Sequence, residues 1–158
     1  QASLCLQEGN MNKSNLENIE VAGISVRTNN SKEMEPSTAQ IGALWEKFYG
    51  EVAPKLPRGS KVFGLYTNYE SDHNGNYDVV ACTDSELPKD ISGVESFDIK
   101  AGGYLVFSEE GDMPQTVFKL WNHIWEYFRS PDCPYKRAYT TDFELYKSEN
   151  EIEIYISV

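Results

Sequence analysis

The chain is poor in cysteine and has no spacing typical of a metal or disulfide site. Its 158 residues include three cysteines, Cys5, Cys82 and Cys133, which are widely spaced and odd in number. No CxxC, HExxH or EF-hand pattern occurs. The sequence therefore predicts no bound metal, no cofactor and no disulfide framework.

Basic residues are scarce as well. The chain has 14 Lys and Arg against 25 Asp and Glu, which gives a formal net charge of -11. Direct binding to nucleic acid or to an anionic membrane needs basic patches, so we expect neither partner. The acidic excess is compatible with cationic ligands, but it is also the ordinary charge of a surface that keeps a protein soluble.

Long apolar runs are also absent. No stretch approaches the ~20 apolar residues of a transmembrane helix. The first residues, QASLCLQEGN, lack the basic start and long apolar stretch of a signal peptide. We therefore expect a cytoplasmic protein. We interpret residues 1–17 as an N-terminal tail, in which Met11 is a candidate natural start preceded by foreign residues, and residues 18–158 as one domain.

Aromatic residues, by contrast, are abundant. Hydrophobic residues make up 40% of the chain and aromatic residues 13%, with 10 Tyr and 3 Trp. A domain of this length buries roughly 68–70% of the surface of its unfolded chain, so the composition predicts one substantial core. Tyr and Trp matter most where an apolar body needs a polar tip.

Two segments of helical periodicity share one pattern of apolar positions. In both, the apolar residues follow the offsets 0, 3, 4, 7, 8 and 11, which form one stripe along a helix. The first stripe is Ile41, Leu44, Trp45, Phe48, Tyr49 and Val52, and the second is Val117, Leu120, Trp121, Ile124, Trp125 and Phe128. Capping boxes are predicted at Ser37 with Gln40 and at Asp112 with Gln115. Each helix is expected to end near the proline that follows its stripe.

The strands around these helices repeat too. VFGLYTNYE follows the first helix and DFELYKSEN follows the second, which aligns residues 63–66 with residues 143–146. A further strand follows each of these segments, and the strands VAGISVRT and GGYLVFSEE precede the helices. The sequence therefore predicts an α+β fold of two strand–helix–strand–strand repeats, residues 18–90 and 91–158, with a linking strand near ESFDIK. We expect an antiparallel sheet with two helices on one side and a central ligand cleft between the halves.

The last hairpin contains the main candidate binding residues. A turn centred on residues 149–150 pairs positions whose numbers sum to 299, which sets Glu144 opposite Tyr155 and Tyr146 opposite Glu153. In this register the apolar residues of the hairpin face the helices, and the two carboxylates and two phenols form one patch on the other side. The patch is either an ordinary solvated sheet face or the lining of a cleft.

The repeat adds further candidates. Tyr66 repeats Tyr146, whereas Gly64 stands where the second half has Glu144, so the scaffold itself does not call for a carboxylate there. A pocket ringed by tyrosines, with negative charge from one half, suits a flat lipophilic cation, because aromatic faces attract cations by ~0.5–2 kcal/mol each.

Two other aromatic residues are candidates for the same pocket. Trp121 belongs to a core stripe, yet its indole edge can still form the floor of the cleft. Tyr104 points either into the cleft or into the core.

The segments GGYLVFSEEGDMPQTVFKLWNHIWEYF and YTTDFELYKSENEIEIYISV resemble the GyrI-like or AraC-type effector-binding domain, in the stand-alone form found on mobile gene cassettes. The resemblance covers Gly23 to Val158 and rests on the Gly-Tyr strand, Trp-x-x-Ile-Trp, Phe-Glu-x-Tyr and the final EIYISV strand. It implies a two-fold repeated fold whose cleft binds hydrophobic cations, with Glu144 as its central glutamate. Glu153 and Tyr155 resemble residues on the last strand of multidrug-sensing regulators.

We therefore expect a stand-alone protein that sequesters or senses lipophilic, cationic aromatic compounds. No helix-turn-helix segment accompanies the domain, so control of transcription by its own DNA binding is not expected. Two alternatives stay open. One is hydrolysis of strained electrophilic small molecules with Glu144 as the general base, as the resemblance implies for some members. The other is an adaptor for a transcription regulator or another protein.

Overall fold

The computed structural model describes residues 11–158, so Cys5 lies outside the described residues. The strands are β1 (Met11–Leu16), β2 (Ile19–Thr28), β3 (Val62–Thr67), β4 (Tyr77–Thr83), β5 (Glu95–Ile99), β6 (Gly102–Glu110), β7 (Asp142–Ser148) and β8 (Glu151–Ser157). The helices are α1 (Asn30–Met34), α2 (Ile41–Lys47) and α3 (Gln115–Arg129). A π-helical turn, Phe48–Val52, and a 3₁₀ turn, Ala53–Lys55, continue α2. The predicted α+β class is confirmed.

The strands form one open antiparallel sheet in the order β1-β6-β8-β7-β3-β4-β2-β5. Its six inner strands display the predicted duplication, because β6-β8-β7 of the second half is mirrored by β2-β4-β3 of the first. The halves meet where β3 pairs with β7, and there Gly64 lies opposite Glu144. These two positions are also equivalent in the repeat, so the pseudo-two-fold axis passes between them.

Strands β1 and β5 extend the sheet at its two outer edges. Strand β5 is the predicted linking strand, whereas β1 is an additional strand within the segment interpreted as a tail. Among residues 11–158, no helix combines the length and the apolarity that a membrane span requires.

Helices α2 and α3 cover the same face of the sheet. The α3 cluster includes Leu105, Phe107, Leu120, Ile124 and Ile154, and the α2 cluster includes Leu44, Phe48, Val52, Val79 and Ala81. Tyr66 on β3 packs against both clusters, which places the two helices side by side above the junction of the halves. A third cluster, with Phe63, Leu65, Val80, Cys82 and Phe143, covers the opposite face. Both faces of the sheet are therefore partly buried.

The helix starts differ from the prediction, since neither Ser37–Gln40 nor Asp112–Gln115 forms a capping box. Helix α2 begins at Ile41, and the Glu33 carboxylate accepts hydrogen bonds from the backbone N of Gln40 (2.9 Å) and of Ile41 (3.1 Å). The sequence predicted that a nearby side chain would accept hydrogen bonds from the first backbone amides of this helix. The acceptor is instead Glu33 of α1, a helix that the sequence analysis did not predict.

The register of the last hairpin was also predicted wrongly. The sum of 299 holds for the pair Ser148–Glu151, but a β-bulge between Tyr146 and Ser148 shifts the pairs beyond it by one residue. As a result Glu144 lies opposite Ile154 instead of Tyr155. Side chains alternate between the two faces along a strand. A register shift of one residue therefore reverses which side chains of one strand share a face with those of its partner.

This shift separates the predicted patch into two. Glu144 and Tyr146 share the helix-covered face with the isoleucines of β8. Glu153 and Tyr155 lie on the opposite face, where Tyr155 packs against the third cluster. The prediction that these four residues form one patch is therefore wrong.

Candidate functional site

A buried carboxylate lies at the pseudo-two-fold axis. Glu144 is 3% exposed, and both of its oxygens accept hydrogen bonds from aromatic side chains. Oε2 accepts from the Tyr66 hydroxyl (3.0 Å) and from Nε1 of Trp121 (2.7 Å), and Oε1 accepts from the Tyr146 hydroxyl (2.7 Å). Burial raises the pKa of Glu144, while the three hydrogen bonds favour the ionised form and limit the rise.

Gly64 leaves the space that this carboxylate occupies. A Cβ at Gly64 would lie 2.5 Å from Oε1 of Glu144 and 3.1 Å from Cζ2 of Trp45. Since the two positions face each other across the axis, only one of them can carry a large side chain. The difference between the halves that the sequence displays is therefore a steric requirement.

Two equivalent aromatic pairs flank Glu144. The rings of Tyr66 and Trp121 are 5.4 Å apart at 71°, and those of Tyr146 and Trp45 are 5.5 Å apart at 75°. Each pair combines a tyrosine from one half with a tryptophan from the other, as a two-fold relation requires. The duplication thus encloses one carboxylate between two nearly identical aromatic walls.

The next ring on each helix continues this relation. Trp121 and Trp125 are 6.0 Å apart at 36°, and Trp45 and Tyr49 are 5.7 Å apart at 29°. The hydrogen bonds of the two tryptophans to Glu144 do not follow this two-fold symmetry. Trp121 donates to Glu144, whereas within residues 11–158 Trp45 makes no hydrogen bond to that carboxylate.

A cavity of about 350 Å³ opens on the Trp121 side. Its aromatic lining consists of Tyr66, Tyr69, Tyr77, Phe118, Trp121 and Trp125. Glu144 does not line it, because the side chains of Tyr66 and Trp121 stand between the cavity and the carboxylate. A second cavity of about 520 Å³ continues from the first and shares part of its wall, including Asn30, His73 and Arg137.

Glu33 brings a carboxylate to the cavity wall itself. Besides capping α2, it accepts a hydrogen bond from the Thr28 hydroxyl at 2.6 Å. Tyr77 lines the same cavity, and burial, followed by the Glu33 charge, raises the pKa of Tyr77 to about 12. The sequence analysis missed Glu33, because the five residues of α1 are too few to give a periodic signal.

A second buried carboxylate, Asp142, lies two residues before Glu144 on the same face of β7. It is fully buried and accepts hydrogen bonds from Nη2 of Arg137 (2.7 Å), from the backbone N of Ser157 (2.8 Å) and from the Tyr69 hydroxyl. Arg137 and Asp142 form a neutral pair at the cavity wall, which the sequence analysis also missed because no pattern links them.

Four sequence-predicted site residues meet at the axis, and they are Glu144, Tyr146, Tyr66 and Trp121. The other three lie on the opposite face. Tyr155 stacks on Phe143 with ring centroids 4.4 Å apart, and its hydroxyl donates to Glu153 at 3.0 Å. Tyr104 is 1% exposed, and its hydroxyl donates to the carbonyl oxygen of Lys100. Of the two orientations left open for Tyr104, the core orientation is observed.

Comparison with known sequences gives two matches. A family model described as Cass2, integron-associated effector binding protein, matches residues 14–158. YobU of Bacillus subtilis (strain 168), designated a candidate transcriptional regulator, is 29% identical over 149 residues, which cover 87% of this chain and 90% of YobU.

Several solved structures share the fold. An integron cassette protein from the mobile metagenome of Vibrio cholerae, VCH_CASS2, has a TM-score of 0.89 and 54% identity over 94% of this chain and 95% of its own. SAV2435 bound to tetraphenylphosphonium has a TM-score of 0.70 and 18% identity over 92% of each chain. The C-terminal domain of EcmrR has a TM-score of 0.59 and 15% identity over 93% of this chain and 95% of its own. At these lower identities the likeness concerns the fold.

Proposed function

Because the chain belongs to the Cass2 integron-associated effector-binding family, we propose that it binds lipophilic aromatic cations in the cavity beside Trp121. One observation carries the proposal. The Glu144 carboxylate is buried directly behind Tyr66 and Trp121. The side chains of these two residues line the cavity and donate hydrogen bonds to the carboxylate. Family membership agrees with the effector-binding resemblance of the sequence and with small-molecule binding in general.

The aromatic wall supplies the attraction for a cation. A positive charge over an aromatic face gains ~0.5–2 kcal/mol, and more rings add to the gain. A hydrogen bond donated to a carboxylate polarises the donor, so Glu144 increases the electron density of the Tyr66 and Trp121 rings. The negative charge of Glu144 therefore attracts the cation through the polarised rings, and the hydrogen bonds of Glu144 stay intact when the ligand binds.

The surroundings favour the same ligand class. Glu33 adds a carboxylate at the cavity wall, and the net charge of -11 attracts cations toward the protein. The cavity of about 350 Å³ has the volume of a small-molecule site. Tetraphenylphosphonium, the ligand of SAV2435, is a lipophilic aromatic cation bound by a protein of the same fold. Few directional bonds are involved, so we expect the site to accept ligands of varied shape.

Calorimetric titration with tetraphenylphosphonium and with neutral triphenylphosphine oxide tests this function. We expect Glu144→Gln to weaken binding of the cation at least tenfold and to change binding of the neutral compound less than twofold. The amide fits the site, because its oxygen can accept from Trp121 and Tyr66 while its NH₂ donates to the Tyr146 hydroxyl.

The matched control is Glu153→Gln, which removes a carboxylate from the opposite face of the same hairpin. It should leave the binding of both compounds unchanged. Equal losses for the cation and the neutral compound in Glu144→Gln would reject the electrostatic role, and failure of the unmodified protein to bind the cation would reject the function.

Hydrolysis with Glu144 as the general base has less support. A general base must reach its water or substrate by a hydrogen bond, either directly or through one water. Both oxygens of Glu144 already accept hydrogen bonds, and the side chains of Tyr66 and Trp121 separate them from the cavity.

A further inference from the structure

We propose that Arg137 forms a second subsite of this cavity, which binds a neutral hydrogen-bond acceptor, such as an amide or ester carbonyl, on the cationic ligand. The inference rests on the proposed cation binding and narrows the ligand class. The preferred ligand is an aromatic cation with an uncharged acceptor group some distance from its charge.

The first argument is the state of the Arg137 guanidinium. Its side chain is 8% exposed and contributes to the walls of both cavities. Nη2 donates to Asp142, but Nε is buried without a hydrogen-bond partner. A guanidinium has five N–H donors, and a buried donor without an acceptor is costly. Nε itself is out of reach of a ligand, but the remaining guanidinium N–H groups belong to a side chain that lines both cavities and can meet an acceptor there.

The second argument is that the guanidinium is held in place. Asp142 fixes one edge, and the ring of Tyr139 lies under the guanidinium with its centroid 4.5 Å from Cζ. Asp142 is itself fixed by the backbone N of Ser157. A donor group fixed in this way is preorganised for an acceptor, because little side-chain freedom remains to be lost on binding.

The charges near the subsite favour a neutral acceptor over an anion. The positive charge of Arg137 is already compensated by Asp142 at 2.7 Å. Glu33 lines the first cavity and Glu144 lies behind its aromatic wall, so the charge around the bound cation is negative, whereas Arg129 and Lys136 line the second cavity. An anionic group that accepts from Arg137 would lie close to the Asp142 carboxylate and be repelled by it, whereas a neutral carbonyl oxygen would not.

The spacing along β7 indicates the scale of the ligand. Asp142, which holds Arg137, and Glu144, which polarises the aromatic wall, are two residues apart, and two residues of a strand span about 6.6 Å. Arg137 also lies where the two cavities join. An acceptor on a short chain can therefore extend from a cation on the aromatic wall toward the second cavity.

Two triphenylphosphonium probes of equal length test the subsite, one with a hexyl chain and one with a pentyl chain that ends in a carboxamide. The variant is Arg137→Lys, which keeps a positive charge beside Asp142 but removes the additional guanidinium donors. We expect the carboxamide probe to bind about tenfold more weakly to this variant, while the hexyl probe changes less than twofold. Arg129→Lys, at an exposed guanidinium on the second cavity wall, should change neither.

A second variant covers the case in which Arg137→Lys does not fold. Arg137→Met combined with Asp142→Asn removes both charges of the pair, and the asparagine oxygen can still accept from Ser157. This variant should also lose affinity selectively for the carboxamide probe. Equal changes for both probes would overturn the subsite. If neither probe binds the unmodified protein, the proposed function fails as well, which distinguishes the two ideas.

Discussion

The closing hairpin contains the same chemical pair twice. Strand β7 carries Glu144 and Tyr146, and β8 carries Glu153 and Tyr155. In both, the tyrosine lies two residues after the glutamate and donates a hydrogen bond to it, at 2.7 Å on β7 and 3.0 Å on β8. The two pairs nevertheless differ in almost every physical property, because they lie on opposite faces of the sheet.

The surroundings account for the difference. Glu144 is enclosed by rings from both halves and accepts two further hydrogen bonds from Tyr66 and Trp121. Glu153 is only half-buried, and its Oε2 lies 3.6 Å from Nζ of Lys147 in a partly exposed ion pair of small energetic value. A carboxylate next to a tyrosine therefore becomes a candidate ligand site only where neighbouring elements exclude water and border a cavity.

The largest effect on stability and binding is expected when a side chain at position 64 fills the space that the Glu144 carboxylate occupies. Gly64→Ala places a Cβ 2.5 Å from Oε1, so the carboxylate must move and its hydrogen bonds must rearrange. We expect a loss of about 1–3 kcal/mol in the free energy of unfolding, the usual range for overpacking, and at least tenfold weaker binding of tetraphenylphosphonium. Chemical denaturation and calorimetric titration measure the two quantities.

The control for this variant is Gly42→Ala in α2, where an added Cβ meets nothing within 4 Å. Alanine is favoured over glycine in a helix by about 0.5–1 kcal/mol, so this change should stabilise the protein and leave binding intact. A Gly64→Ala protein as stable as the unmodified one, with full affinity, would contradict the steric role of Gly64.

A smaller effect is expected in the pH dependence of stability. Burial raises the pKa of Glu144 above its ordinary value of 4.5, so the folded state retains a proton that the unfolded state has lost. The unfolded state then binds fewer protons, and the contribution of Glu144 to stability falls as pH rises from about 4.5 through the raised pKa. Glu144→Gln should remove this fall, so the stability difference between the two proteins should change across that window.

Glu153→Gln sharpens the same measurement, because it removes the half-buried carboxylate of the comparison. Denaturation of this variant between pH 4 and 8 should still show the fall in stability that Glu144 causes. Binding of tetraphenylphosphonium should weaken as pH falls through the raised pKa of Glu144, since only the ionised carboxylate attracts the cation. A pH dependence that Glu144→Gln leaves unchanged would assign it to another group.

The comparison also separates what the sequence predicts from what it does not. The duplication was predictable, because the stripe around Trp45 and Trp121 and the strand repeat are periodic signals. Which side chains of the hairpin share a face was not predictable, because the bulge after Tyr146 depends on how the turn closes. A register shift of one residue reverses which side chains of the two strands lie on the same face. Arg137 and Glu33 could not be predicted as cavity residues, since their positions depend on tertiary packing of irregular or very short segments.

The smallest expected effect compares the two tyrosines directly. Tyr146→Phe removes the hydroxyl that donates to Oε1 of Glu144, and this hydrogen bond favours the ionised carboxylate. The pKa of Glu144 should therefore rise further, so that the pH below which tetraphenylphosphonium binding weakens moves upward, with an affinity loss of about threefold at neutral pH. Tyr155→Phe removes an equivalent hydroxyl from Glu153 and should shift neither quantity. Calorimetric titration of both variants at several pH values separates the outcomes. Equal shifts in the pH dependence of binding would mean that the two faces of the hairpin act on the ligand alike. No shift in either variant would mean that the Tyr146 hydroxyl does not control the charge of Glu144.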